Sequence, residues 1–138
     1  MDKSKVLVCS AKVFESAADT VNAQGVLAVI SKNSLSPNEI TDKYPFVIMC
    51  DRIQDPGNLG AIMRSADAFG PAALILNKGC VDAYNPKVVR ASAGALFRIP
   101  MIFAEDDGEI INILKNKGYY LVSTVVDSEY TFDNMDNR

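Results

Sequence analysis

An asparagine and an arginine, Asn58 and Arg64, lie in the stretch of this chain whose residue types and spacing best suit chemistry. Residues 51–70 read DRIQDPGNLGAIMRSADAFG, where Pro56 and Gly57 predict a tight turn and Asn58 fits the N-cap of a following helix. Backbone N–H groups at such a helix start suit a phosphate or other anion. Arg64, away from the apolar face of the helix, suits a phosphate or a ribose hydroxyl. An ordinary turn with a capped helix and a solvated arginine explains the same pattern, so both interpretations stay open.

Several other classes of site are excluded by composition. The chain has no histidine, which removes Ser-His-Asp and Cys-His nucleophile systems and histidine metal ligands. Neither a GK[ST] phosphate loop nor GxGxxG occurs. The three cysteines, Cys9, Cys50 and Cys80, are far apart and odd in number, which argues against a disulfide framework and a thiolate metal site. We therefore expect no metal site and a reduced compartment, the cytoplasm.

The charge of the chain is unevenly distributed. The formal net charge is −3, but residues 52–98 carry six basic and three acidic residues. Lys78, Lys87, Arg90 and Arg98 fall in this basic part and are candidates for contact with RNA phosphates. A solvated helix face is the alternative. No run approaches the roughly 18 apolar residues that a membrane span needs, so we expect no membrane partner.

Strands and helices alternate along most of the chain. Apolar runs predict strands over 45–50, 72–77, 99–104 and 119–126. Helical periodicity and capping residues predict helices over 58–69, 87–96 and 106–116. This order predicts an α/β fold, a mostly parallel sheet with helices on both faces.

The residues before this pattern are too few for a domain of their own. They predict strands over 5–9 and 25–31, a helix over 11–20 and a polar linker over 31–44. We assign residues 1–37 to the remnant of an amino-terminal domain plus linker, and residues 38–138 to the main domain.

A family resemblance adds to these observations. The run DPGNLGAIMRSADAFG, followed by ALILNKGCVDAYNPKVVRASAGALFRIPMI, resembles the first motif region of SpoU/TrmH-type RNA 2′-O-ribose methyltransferases of the SPOUT class. The resemblance covers roughly residues 45–126. The preceding VFESAADTVNAQGVLAVISK is similar to the end of the small substrate-recognising domain of that family.

The resemblance implies a methyl transfer from S-adenosylmethionine to a ribose hydroxyl of ribosomal or transfer RNA. Asn58 and Arg64 match motif positions, with Arg64 positioning the 2′-hydroxyl. From the charge pattern, and not from the resemblance, Lys87 and Arg90 would contact RNA. Ser123, Thr124 and Val125 would form the first cofactor loop. The later cofactor loops of the carboxyl-terminal knot have no counterpart in residues 1–138, so we expect a partial SPOUT domain that binds the cofactor poorly.

Two further expectations follow from this interpretation. A sheet that lacks part of its cover would expose apolar surface, so we expect self-association, as a homodimer or otherwise. Two other functions remain open: a non-catalytic RNA-binding module derived from the family, and a generic nucleotide-binding α/β domain.

Overall fold

The computed structural model describes residues 5–18, 20, 22, 24–32, 34–40, 46–128 and 131. The chain divides into two compact units, Met1–Lys32 and Asn33–Arg138. The assignment of residues 1–37 and 38–138 to two domains stays a prediction.

The first unit contains one helix, α1 (Ala11–Ala17), among its described residues. Ser10 is its N-cap, and α1 ends before the position 20 predicted from sequence. The strands predicted over 5–9 and 25–31 are wrong, because these residues are irregular and exposed, as at Leu7 (92% exposed) and Val29 (92%). A β-branched apolar run forms a strand only when another strand supplies its backbone hydrogen bonds.

The second unit is built on a parallel sheet in the order β1 (Ile48–Cys50), β2 (Leu74–Asn77), β3 (Met101–Ala104). Cys50 pairs with Leu76, and Leu76 pairs with Phe103. The strands lie within the predicted runs and are shorter; residue 45 lies outside the described residues. The predicted α/β class with a parallel sheet is confirmed.

Helices pack on both faces of this sheet. On one face α2 (Pro56–Phe69) and α3 (Pro86–Ala91) bury Leu59, Met63 and Val88 against Leu74 and Leu76. On the other face α4 (Asp107–Asn116) buries Ile110 and Leu114 against Ile75 and Ile102. Successive residues of a strand point to opposite faces of the sheet. The side chains of β2 are all buried, and they pack alternately against the helices on the two faces.

The helix boundaries differ from expectation at two places. The N-cap of α2 is Asp55 and not Asn58, because Pro56 takes the first helical position, which its fixed φ favours. Phe69, the last residue of α2, is 76% exposed. α3 ends at Ala91 and not at residue 96, because Ala93 (φ 49°) and Gly94 (φ 85°) adopt left-handed backbone; a short 3₁₀ turn, Ala95–Phe97, follows.

The fourth strand predicted over 119–126 is also wrong. These residues are irregular, and every residue from 120 to 128 is exposed. Among the described residues the sheet has three strands, and this apolar run pairs with none of them.

Part of the predicted linker packs on the sheet. The Leu35 N–H donates to the Met101 carbonyl (2.8 Å), and Ile40 is 3% exposed. Lys117 Nζ donates to the carbonyl oxygens of Asn38 and Ile40, at 3.3 and 3.1 Å. Residues 34–40 thus form part of the second unit. No helix in the described part of the chain is long and apolar enough to cross a membrane.

Candidate functional site

Arg64 lies on the exposed side of α2 and is held by the end of α3. Its Nη1 donates a hydrogen bond to the Ala91 carbonyl oxygen at 2.6 Å. Ala91 is the last residue of α3, where carbonyl groups lack an intrahelical partner and carry the negative end of the helix dipole. This hydrogen bond orients the Arg64 guanidinium. Because the carbonyl acceptor is neutral, the bond does not neutralise the positive charge of the guanidinium.

Close packing of α2 on α3 makes this hydrogen bond possible. A Cβ added at Gly60 would overlap the Cβ and the backbone carbon of Ala91. Ser92, fully buried, donates its hydroxyl to the Val89 carbonyl at 2.9 Å, which satisfies the polar group at this contact. Gly60 is therefore a residue of the site, because it permits the close approach of α2 and α3.

Asn58 lies in the first turn of α2 and is exposed. Its backbone N–H donates to the Asp55 carboxylate at 2.7 Å. The place that the sequence suggested for an external anion is thus taken by an internal carboxylate, whose negative charge also opposes a phosphate there. A role for the Asn58 side chain stays a prediction.

Lys87 and Arg90 are exposed on α3, which packs beside α2 on the same face of the sheet. The predicted start of α3 is confirmed, because Asn85 Oδ1 accepts the Lys87 N–H at 2.9 Å and Pro86 follows the cap. Arg90 directly precedes Ala91, the residue that Arg64 contacts. The structure therefore brings Arg64, Lys87 and Arg90 onto two neighbouring helices.

Arg98 is engaged differently from these cations. Its guanidinium donates from Nε and Nη2 to both carboxylate oxygens of Asp67, with Nε distances of 3.1 and 3.0 Å. The hydrogen bonds and charge of Arg98 hold the pKa of the Asp67 carboxyl below its usual value. Arg98 thus ties its loop to α2.

A polar cluster at the carboxyl edge of the sheet was missed by sequence reasoning. Asn77, the last residue of β2, is 6% exposed and donates to the carboxylates of Asp51 and Asp107. Its Oδ1 accepts the Arg52 N–H at 3.0 Å. Arg52 also makes a two-point ion pair with Asp51, and this pair, with the Asn77 amide, lowers the pKa of the Asp51 carboxyl. The sequence feature that could have indicated this cluster is the asparagine that directly follows the apolar run ALIL.

The segment that the resemblance assigns to the cofactor is Ser123, Thr124 and Val125. All three are exposed in irregular backbone. By themselves, these three exposed residues form no closed cradle for an adenosyl group. Their role stays a prediction. In the described part of the chain, no group of three or more Cys, Asp or Glu side chains is placed to hold a metal ion.

The parallel sheet with helices on both faces makes this an α/β protein, and comparison with known proteins gives the family. The model of the SpoU rRNA Methylase family matches residues 45–137. The chain belongs to the SpoU rRNA Methylase family, and the resemblance seen in its sequence is confirmed.

Relatives are found in animals and bacteria. The human protein named "rRNA methyltransferase 3, mitochondrial" is 41% identical over 90 residues, which are 62% of this chain and 21% of the human one. A Synechocystis protein named as an uncharacterized tRNA/rRNA methyltransferase is 33% identical over 129 residues, 92% of this chain and 46% of that one. The chain therefore spans about a fifth to just under half of the length of these relatives.

Solved structures agree with the fold. An AdoMet-bound rRNA methyltransferase from Sinorhizobium meliloti has a TM-score of 0.68 and 30% identity, over 77% of this chain and 41% of that one. An RNA 2′-O ribose methyltransferase has a TM-score of 0.61 and 27% identity, over 91% of this chain and 48% of that one. The same architecture thus carries RNA methyltransferases in both cases.

Proposed function

We propose that this chain contributes the RNA-facing part of an S-adenosylmethionine-dependent 2′-O-ribose methyltransferase acting on ribosomal or transfer RNA. The observation that carries the proposal is Arg64, an exposed guanidinium at a position matching the family motif and hydrogen-bonded to a neutral carbonyl. Membership of the SpoU family and the names of similar structures support the reaction class. The cytoplasm as compartment stays a prediction from the cysteine pattern.

Arg64 acts in this proposal as a hydrogen-bond donor to the RNA. A guanidinium has N–H donors and no acceptor, so Arg64 orients the ribose hydroxyl or an adjacent phosphate and does not remove the hydroxyl proton. S-adenosylmethionine supplies an activated methyl group when bound. Alignment of the accepting oxygen is then the main task of the protein, and the hydrogen bond to Ala91 fixes the guanidinium for it.

Lys87 and Arg90 contact phosphates in this proposal. Both are exposed on α3, beside the helix that carries Arg64. Each phosphate contact to single-stranded RNA adds about 0.7 to the slope of log affinity against log salt concentration. The two side chains would therefore supply affinity and leave the chemistry to α2.

Methyl transfer by the 138-residue chain tests the reaction directly. Tritiated S-adenosylmethionine, transfer RNA and ribosomal RNA fragments are the substrates, with ribose methylation located by nuclease digestion. We expect Arg64→Ala to lower kcat/KM about 100-fold, since loss of alignment costs that much. Lys115→Ala, an exposed lysine on α4 on the other face of the sheet, is the control and should match wild type. Equal rates for Arg64→Ala and wild type would refute the role of Arg64.

A non-catalytic RNA-binding module is the second candidate, and the exposure of Ser123–Val125 favours it. RNA binding without methyl transfer would select this function. Binding is measured by fluorescence anisotropy between 50 and 200 mM salt, and Lys87→Ala should lower the salt slope by about 0.7. A mononucleotide bound equally well with and without RNA would instead favour the generic nucleotide-binding domain.

A further inference from the structure

Asn77 occupies a special place in the second unit. It ends the central strand β2 and is 6% exposed, so its side chain amide is withdrawn from water. Buried amides need partners for both their oxygen and their nitrogen. Here the partners come from the segments that leave all three strands.

The oxygen of Asn77 accepts hydrogen bonds from two loops. Oδ1 accepts the N–H of Arg52, after β1, at 3.0 Å, and the N–H of Gly79, after β2, at 3.2 Å. The Cys80 sulfur lies 3.5 Å from the same oxygen, but its single proton has a nearer acceptor in the Cys50 carbonyl oxygen at 3.2 Å. The nitrogen, Nδ2, donates to Asp51 and to Asp107, the first residue of α4 after β3.

A neutral amide is the group that satisfies this arrangement. It accepts at one end and donates at the other, whereas a carboxylate of the same shape would face the carboxylates of Asp51 and Asp107. An apolar side chain would leave the N–H groups of Arg52 and Gly79 without this acceptor. The identity of residue 77 is therefore constrained by the geometry of the three strand ends.

The loop that Asn77 holds leads directly into α2. Arg52 has a positive φ of 51°, an uncommon backbone state for a residue other than glycine, and Asn77 binds its N–H. The Val81 N–H donates to the Ile53 carbonyl at 2.8 Å, which fastens the next residue of the same loop. Asp55 then caps α2, the helix of Asn58 and Arg64.

We propose that Asn77 is a positioning residue for Asn58 and Arg64, acting through the loop from Arg52 to Asp55. The inference rests on the proposed function only in taking RNA as the ligand of Arg64. Asn77 does not touch the RNA; it sets where α2 begins and thereby where the guanidinium points.

The decisive variants exchange an amide and a carboxylate. Asn77→Asp replaces both donated hydrogen bonds by repulsion from Asp51 and Asp107. Asn77→Asp combined with Asp51→Asn restores an amide-to-carboxylate bond with its direction reversed and returns the net charge to that of wild type. Asn112→Asp, at an exposed position of α4, controls for added charge. Leu114→Ala, on the opposite face of the sheet, controls for lost stability.

Two measurements on the full 138-residue chain read the position of α2. Nitrogen-15 NMR follows the Arg64 Nε–Hε signal and the Asn58 amide, and anisotropy follows affinity for a short single-stranded RNA. We expect Asn77→Asp to shift both signals and to weaken RNA binding about tenfold, the effect of one lost hydrogen bond between the displaced Arg64 guanidinium and the RNA. The exchanged pair should recover part of both, because the carboxylate at position 77 still faces Asp107 and Arg52 loses its ion pair with Asp51. Asn112→Asp and Leu114→Ala should leave both near wild type at temperatures where they are folded.

The outcomes separate this inference from the proposed function. Wild type that binds no RNA would refute the RNA ligand, while the NMR signals would still decide whether Asn77 positions α2. Unchanged Arg64 and Asn58 signals in folded Asn77→Asp would overturn the inference, as would an exchanged pair no better than Asn77→Asp. If Asn77→Asp does not fold, Asn77→Ser, which keeps a shorter acceptor, replaces it in the same comparison.

Discussion

The three arginines with named partners show how neighbours decide what a guanidinium does. Arg52 and Arg98 each meet a carboxylate, Asp51 or Asp67, and their charge is used inside the protein. Arg64 meets the carbonyl of Ala91. A carbonyl orients the guanidinium without neutralising it, which leaves Arg64 better suited to an anionic partner.

Cys50 provides a prediction at the same scale. Burial, with a smaller contribution from Cys80, raises the pKa of its thiol from the usual 9.0 to about 11. As the pH rises above 9.0, the thiol of the unfolded chain loses its proton first, so the unfolded state is favoured. We expect the free energy of unfolding to fall between pH 9.0 and about 11, measured by urea denaturation.

Substitutions identify the thiol responsible. Cys50→Ala should flatten this part of the pH dependence, whatever its effect on stability at neutral pH, whereas Cys9→Ala should not, because Cys9 is exposed. Native alkylation at pH 8 should label Cys9 well before Cys50, as read by mass spectrometry. A Cys50→Ala variant with the same alkaline slope as wild type would contradict the assignment.

At the scale of elements, capping chemistry predicted helices better than apolar runs predicted strands. Asn85-Pro86 and Asp106 marked the starts of α3 and α4 correctly, because a cap is satisfied by its own next residues. The runs at 5–9, 25–31 and 119–126 form no strand, because pairing depends on residues distant in sequence. The predicted N-cap of α2, Asn58, was wrong and the N-cap is Asp55. Both residue types are good caps, and Pro56 decides between them by taking the first helical position.

The residues of the candidate site also differ in whether the sequence could predict them. Arg64, Lys87 and Arg90 were predictable as exposed helix cations from periodicity and motif. The Asn77 cluster was not, because its partners Asp51 and Asp107 come from separate strand ends. The close approach at Gly60 was likewise hidden, since it depends on the path of α3.

The close contact between α2 and α3 at Gly60 should make the stability of the protein sensitive to an added side chain at this position. Gly60→Ala places a methyl group against the Cβ and backbone of Ala91, and backbone atoms cannot move aside cheaply. We expect a net loss of about 1–2 kcal/mol in the free energy of unfolding, overpacking outweighing the roughly 1 kcal/mol gained in helix propensity. Urea denaturation measures the loss.

A second glycine of α2 controls for helix propensity. At Gly57 an added Cβ meets only a side-chain oxygen of Asp55, at 3.1 Å. Gly57→Ala should therefore cost less than Gly60→Ala. If Gly60→Ala were as stable as wild type, the close approach of α2 and α3 would not constrain this position.

At the scale of the whole molecule, the cations proposed for RNA contact and a cluster of exposed apolar side chains come from different segments of the chain. The cations proposed for RNA contact belong to α2 and α3, whereas residues 120–126 expose Tyr120, Leu121, Val122, Val125 and Val126. Val126 is fully exposed and Tyr120 is 84% exposed. Exposed apolar side chains at this density favour association, and β-rich runs without a ladder favour pairing between chains.

Self-association of the 138-residue chain is therefore expected to depend on residues 120–126. We expect sedimentation velocity to show a weight-average mass that rises with protein concentration. Val122→Asp combined with Val126→Asp should lower that mass towards the monomer, because each added carboxylate must be desolvated in an apolar contact. Two charges on exposed positions should not disturb the sheet, so the circular dichroism spectrum should stay that of wild type. Asn112→Asp, which adds charge on α4, should associate as wild type does. A wild-type chain that sediments as a monomer at all concentrations would contradict the expectation, and equal association of the double variant would assign the contact to another surface.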